Sequence, residues 1–131
     1  MAKSFKDMVA EGREGTPMLA PAEVQRRMNE VSGTLVVDVR DAQDLAGTGI
    51  IPGAINVSLG TLPLRADLEL PENFRNPDLQ DRGRPIITTC GGGGQASLAA
   101  KLLKDMGFTD VSIVEGGTNG WKQAGLPTVA P

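Results

Sequence analysis

The chain has no histidine among its 131 residues, and cysteine occurs once, at Cys90. One cysteine closes no disulfide within the chain. Without histidine it also cannot complete the spaced Cys/His sets that hold zinc or iron–sulfur clusters, so we expect neither metal nor cofactor. The same absence removes Ser-His-Asp and Cys-His catalysis, and a reactive Cys90 must be activated by its backbone surroundings or by a nearby cation. Long apolar runs are missing as well, so we expect no membrane span. The formal charge is -3, with no basic cluster of the kind that tracks a phosphate backbone, which argues against nucleic acid as a partner. The first fifteen residues carry Lys3, Lys6, Asp7, Glu11, Arg13 and Glu14 and no apolar core segment. We therefore expect no secretory signal and a reducing, cytoplasmic compartment.

The length suits one domain with a core of its own. Residues 1–15 read as a loosely held polar lead-in, with a short helix near 5–10, and residues 16–131 as the domain. Pro21 fits a first helical position, and Val24 and Met28 share a face, so 21–30 reads as an amphipathic helix. Residues 34–39 are nearly continuous in apolar, β-branched character, which predicts a strand buried on both faces. Asp41 is placed to cap a short helix to about Leu45, and Pro52-Gly53 turns the chain into a short strand at 55–57. Residues 60–84, with Pro63, Pro71 and Pro77, form a long connection carrying one or two short helices. Strands follow at 86–89 and 111–114, and helices at 95–106 and about 118–123. Strand–helix alternation predicts an α/β sheet covered by helices on both faces.

Cys90 stands where the strand at 86–89 ends, before four consecutive glycines, Gly91 to Gly94, and the helix that follows. A thiolate there lies at a helix N-terminus, where amide N–H groups and the helix dipole favour negative charge. Position alone fits a packed core thiol equally well, because free cysteine is among the most buried residue types. The glycines are either an anion-binding curl or only a flexible turn. As a curl, the loop is expected to be mobile with a free thiol and better ordered around an anion, since ordering each glycine costs backbone entropy.

Four strings coincide with one family. Val37-Asp38-Val39-Arg40, Ile51-Pro52-Gly53-Ala54-Ile55-Asn56, the Cys90 loop opening the Ala96-Ser97 helix, and the segment 115–127 with its Gly116-Gly117 and Trp121 together resemble the single-domain rhodaneses, which are sulfurtransferases. The likeness runs from about Leu19 to the C-terminus. It implies a five-stranded, mainly parallel sheet and a catalytic Cys90. That cysteine would take a sulfane sulfur from thiosulfate or a persulfide donor, carry it as a persulfide, and pass it to cyanide or a thiol. The loop Gly91, Gly92, Gly93, Gly94, Gln95 and Ala96 would hold the anion. This chemistry requires the Cys90 sulfur to be exposed at the mouth of the curl, with the amides turned toward it.

Two positions depart from the family pattern. Gln95 stands where many relatives carry arginine at the loop's end, and Ile50 precedes the Ile-Pro-Gly-Ala turn where many carry histidine or another polar residue. Arginine offers five donors and a fixed charge, glutamine two donors and none, so an anionic donor is expected to be held less strongly and thiosulfate turnover to be slow. A partner of another kind, such as a persulfide-carrying protein, then becomes an alternative donor. Two other readings stay open: a non-enzymatic binding module and a cysteine redox sensor. Phosphatase or arsenate-reductase chemistry fits poorly, since it wants an arginine on the phosphoryl oxygens and an acid for the leaving group. Asp38 and Arg40 end a central strand and either brace the site as an ion pair or, for Arg40, contact substrate. Ser97 donates toward the loop or caps the helix. Arg65 and Lys122 offer charge near the pocket or are solvated surface cations, and Trp121 reads as a core anchor.

Overall fold

A computed structural model describes residues 2–131. Met18–Leu19 (β1), Leu35–Asp38 (β2), Ile55–Asn56 (β3), Ile86–Thr89 (β4) and Val111–Val114 (β5) form one sheet in the order β1-β5-β4-β2-β3. All four neighbouring pairs are parallel, so the expected five-stranded α/β sheet is the one observed. The three central strands are buried at every position, as a sheet covered on both sides requires. Because side chains alternate across a strand, Leu35, Val37, Ile86 and Ile113 enter one apolar cluster, while Val36, Ile87 and Val114 enter another.

Helices close both faces. Phe5–Arg13 (α1), Pro21–Glu30 (α2), Leu62–Arg65 (α3), Gly94–Asp105 (α4) and Gly117–Gln123 (α5) follow in chain order among the strands. α4 gives Ala96, Ala99, Ala100 and Leu103 to the first cluster, and α2 and α5 give Val24 and Trp121 to the second. Trp121 is nearly fully buried and its indole Nε1 donates to the Pro127 carbonyl at 2.7 Å, which fastens the C-terminal segment and satisfies its one polar atom. Ile50 exchanges both backbone hydrogen bonds with Val129 and so pins the segment from its other side.

The structure differs from the sequence reading in three places. β1 was not expected from the residue pattern, because two residues carry no periodicity. Asp41 sits at the N-cap of a 3₁₀ turn, Ala42–Asp44, but its side chain makes no capping bond. The third difference is at the N-terminus: the short helix expected near 5–10 runs over nine residues, α1, and is packed against α4 rather than loosely held. A capping box starts it, the Ser4 hydroxyl accepting from the Asp7 amide and the Asp7 carboxylate from the Ser4 amide. Gly12 lets the two helices touch, since a methyl group there would overlap the Ser97 carbonyl oxygen.

The connection at 60–84 is irregular, as expected, with α3 and two 3₁₀ turns. Side chains satisfy its backbone: Arg82 donates to the carbonyls of Ala66, Leu79 and Met106, and Gln80 to those of Arg65 and Asn76. The chain passes from β2 outward to β3, then returns across β2 to β4 and continues to β5. The order therefore reverses between β2 and β4. In open α/β sheets the crevice beyond the carboxyl ends of such strands is where ligands bind.

Candidate active site

β4 delivers Cys90 to that crevice, and the loop after it closes on the sulfur. The Gly93 amide donates to Cys90 Sγ at 3.0 Å and the Ala96 amide at 3.4 Å. Both donors come from the first turn of α4, where N–H groups have no intrahelical acceptor. The amides of Gly92, Gly94 and Gln95 make no hydrogen bond to any described residue. One expectation needs correction. Cys90 is not exposed at a mouth: the residue is 3% exposed and belongs to the apolar cluster on the α4 side of the sheet. The curl wraps over its own sulfur, so the amides do face it while solvent barely touches it.

The four glycines serve different needs. Gly93, the N-cap of α4, has φ +105°, a left-handed conformation that L side chains rarely adopt. At Gly94 a Cβ would meet the Phe5 ring of α1 at 2.9 Å. At Gly92 it would meet nothing within 4 Å, and this exposed residue is the open tip of the loop.

A second glycine turn supports the first from behind. After β5, Gly116 and Gly117 both have positive φ and start α5. The Thr118 amide donates to the Cys90 carbonyl at 2.8 Å and the Asn119 amide to the Gly91 carbonyl at 3.0 Å. The α5 amides thus hold the loop's backbone, leaving the α4 amides for the sulfur. The Thr118 and Thr89 hydroxyls, 3.1 Å apart and buried, tie the same turn to the end of β4.

Asp38 and Arg40 close the floor on the β2 side. Arg40 Nη2 and Nε bind the two Asp38 carboxylate oxygens at 2.7 and 3.0 Å, and both side chains are buried. Nη1 reaches Thr48 Oγ1 at 2.7 Å and the Asp44 carbonyl, and Nη2 also reaches the Gly49 carbonyl. All five N–H donors of Arg40 are therefore engaged with the protein. Hydrogen bonding to Asp38 is the main cause that raises the Arg40 pKa above its usual value, against the opposing effect of burial. Removing one partner of such a buried pair costs about 3–5 kcal/mol.

The remaining predicted residues are placed as follows. Ser97 is buried; its hydroxyl donates to the Gly93 carbonyl at 2.8 Å and accepts from Arg13 Nε at 3.0 Å. Gln95 is exposed and makes no side-chain hydrogen bond to a described residue. Arg65 makes no hydrogen bond to the loop: it donates to the Phe74 carbonyl at 2.9 Å and lines a cavity of about 330 Å³ with Asp41, Asn56, Ser58 and Thr61. Lys122 is exposed. The sequence reading missed the backing role of Thr118 and Asn119 and the arrival of Arg13. The capping box four residues from the start, nine residues ahead of Arg13, was the available signal for the latter.

No group of three or more His, Cys, Asp or Glu side chains among the described residues is placed to hold a metal ion. No helix among them is long and apolar enough to cross a membrane.

Three kinds of comparison agree with this geometry. The family model for the rhodanese-like domain matches residues 20–124. A rhodanese domain-containing protein of Drosophila melanogaster is 34% identical over 90 residues, covering 67% of this chain and 81% of its own length. Thiosulfate sulfurtransferase GlpE of Pseudomonas putida is 31% identical over 102 residues, covering 78% of this chain and 82% of its own. Among solved structures, a Rhodopseudomonas palustris protein described as of unknown function and a possible tyrosine phosphatase is similar at TM-score 0.88 and 29% identity. That match covers 98% of this chain and 96% of the other, so it takes in α1, which the family model leaves out.

Proposed function

The chain belongs to the rhodanese-like domain family, and on that premise we propose that it moves a sulfane sulfur through a persulfide on Cys90. The Cys90 thiolate attacks the outer sulfur of thiosulfate. A new S–S bond forms, the S–S bond of the donor breaks, and sulfite departs with the electron pair. Cyanide or a thiolate then attacks the outer sulfur of the persulfide and the pair returns to Cys90 Sγ. A persulfide-carrying thiol serves as donor by the same displacement, leaving as a thiolate. No side chain has to take a proton, which suits a chain without histidine. Arg40, with every donor spent on Asp38 and the 44–49 segment, has none left for substrate. A free thiol of this kind is kept reduced in a cytoplasmic setting.

The observation that carries this reading is the convergence of the Gly93 and Ala96 amides on Cys90 Sγ at 3.0 and 3.4 Å. Donors aimed at an atom that bears negative charge stabilise it without reorganising, which is how oxyanion holes work. The partnerless amides of Gly92, Gly94 and Gln95 supply further donors for an outer sulfur or a departing sulfite. Incubation with thiosulfate or glutathione persulfide, followed by intact-mass analysis, should add one sulfur atom, about 32 Da, to the wild type and none to Cys90→Ser. Failure of every donor to load Cys90 would remove the enzyme reading.

Near-complete burial of Cys90 and the exposed, uncharged Gln95 favour a second reading, a binding module with little or no turnover. Sulfur loading without thiocyanate production from cyanide would point there. The likeness to a possible tyrosine phosphatase is tested in the same plate with p-nitrophenyl phosphate. We expect no hydrolysis, because no arginine ends the loop to hold phosphoryl oxygens.

A further inference from the structure

We infer that Arg13, on α1, is the positioning residue that draws anionic donors to Cys90, supplying from outside the loop the charge that Gln95 does not. The inference rests on the sulfurtransferase reading and names what selects the donor at that site. Arg13 lies 77 positions before Cys90 and outside the matched family span, and α1 carries it to the loop. Its Nε donates to the Ser97 hydroxyl at 3.0 Å, and that hydroxyl donates to the Gly93 carbonyl at 2.8 Å. Its Nη2 lies 3.4 Å from where a Cβ on Gly93 would stand. Gly93 is the residue whose amide binds the sulfur.

The contrast with Arg40 shows what is left over. Arg40 spends all its donors on the protein and its charge on Asp38. Arg13 spends only Nε, and neither Nη atom has a partner among the described residues. It also forms no ion pair with any described carboxylate, while Glu11 on the same helix is taken by Lys3. Arg13 is exposed, so its charge is hydrated and acts as a moderate attraction that salt screens. A planar fork with free N–H groups at the rim of an amide-lined loop suits a tetrahedral oxyanion such as the sulfonate end of thiosulfate. Packing of Phe5 on Gly94 and of Gly12 on Ser97 fixes the helix that presents it.

The test compares two alkylating reagents of similar size, anionic iodoacetate and neutral iodoacetamide, on the full chain, with Cys90 as the only thiol. In Arg13→Met the ratio of iodoacetate to iodoacetamide rates should fall about fivefold at low salt, and the difference should close at about 0.5 M salt. Arg13→Lys should keep most of the ratio, and Arg84→Met, at the amino end of β4, should leave it unchanged. An unchanged ratio in Arg13→Met overturns the inference, and so does failure of both reagents to react, since no anion then reaches the sulfur. These rates do not depend on sulfur transfer, so they fail separately from the loading experiment above. Where loading occurs, Arg13→Met should raise KM for thiosulfate about fivefold with kcat nearly constant. Attack of Cys90 on the central sulfur of a neutral organic trisulfide, which leaves a mixed trisulfide on Cys90 and releases one thiolate, should be unaffected, and Gln95→Arg should restore the thiosulfate KM in the Arg13→Met background. A KM change shared by both donors would mean that Arg13 only supports the fold.

Discussion

Two strand-to-helix turns in this molecule have nearly the same local design and opposite uses. Both follow a central parallel strand, both start a helix from a glycine N-cap with positive φ, and neither has a side-chain cap. After β5, the first amides of α5 are spent on carbonyls of the neighbouring loop. After β4, the first amides of α4 are aimed at a sulfur or left without a protein partner. The difference lies in what surrounds each turn. A Cβ at Gly117 would meet the carbonyl oxygens of Gly91 and Cys90 at 2.6 and 2.7 Å, while one at Gly92 would meet open space. One turn is a packed clamp and the other a nest open only at its tip, and the clamp holds the nest's backbone so that its N–H groups can face inward.

Substitution at four glycines separates the two roles. Gly117→Ala should be the most damaging, costing about 3 kcal/mol or more, because positive φ and close backbone contact both oppose it. Urea denaturation reads this directly, and a midpoint near wild type would break the distinction. Gly93→Ala should cost about 1–2 kcal/mol for its left-handed conformation alone. It should nevertheless reduce sulfur loading about tenfold, since it moves a donor off the sulfur; loss of stability without loss of loading would put the donor elsewhere. Gly94→Ala gains up to about 1 kcal/mol of helix propensity and displaces the exposed Phe5 ring, so stability should stay within about 0.5 kcal/mol. Its effect should appear instead as faster amide hydrogen exchange in α1. Gly92→Ala should be nearly silent in stability, within about 0.5 kcal/mol, and any slowing of alkylation by it would show that reagents enter over the loop's tip.

Much of the framework was legible because it is written in local patterns. The burial of β2 on both faces follows from 34–39, and α2 begins at Pro21 as the proline rule requires. The Cys90 loop was legible for the same reason: strand, glycines and helix are contiguous. What was not legible depends on distant contacts. β1 is two residues long and exists because β5 offers it an edge, with Met18 facing Ile113. The polar composition of α1 allowed a short helix near 5–10 but hid its docking on α4, whose closest approach uses a glycine, a residue that patterns count as a breaker. Arg13, for that reason, read as one more surface charge. Gln95 leaves the loop without a cation of its own, and nothing in the loop's own sequence says where one could come from.

At Gly12 the first helix and α4 meet main chain against main chain, eight residues before the span that the family model matches begins. The piece that folds is thus larger than the piece that is recognised. A shortened protein starting at residue 20 would keep every motif of the family, yet it would uncover the buried Ser97 hydroxyl and strip the Phe5 ring from Gly94, leaving the helix start beside the cysteine open to water.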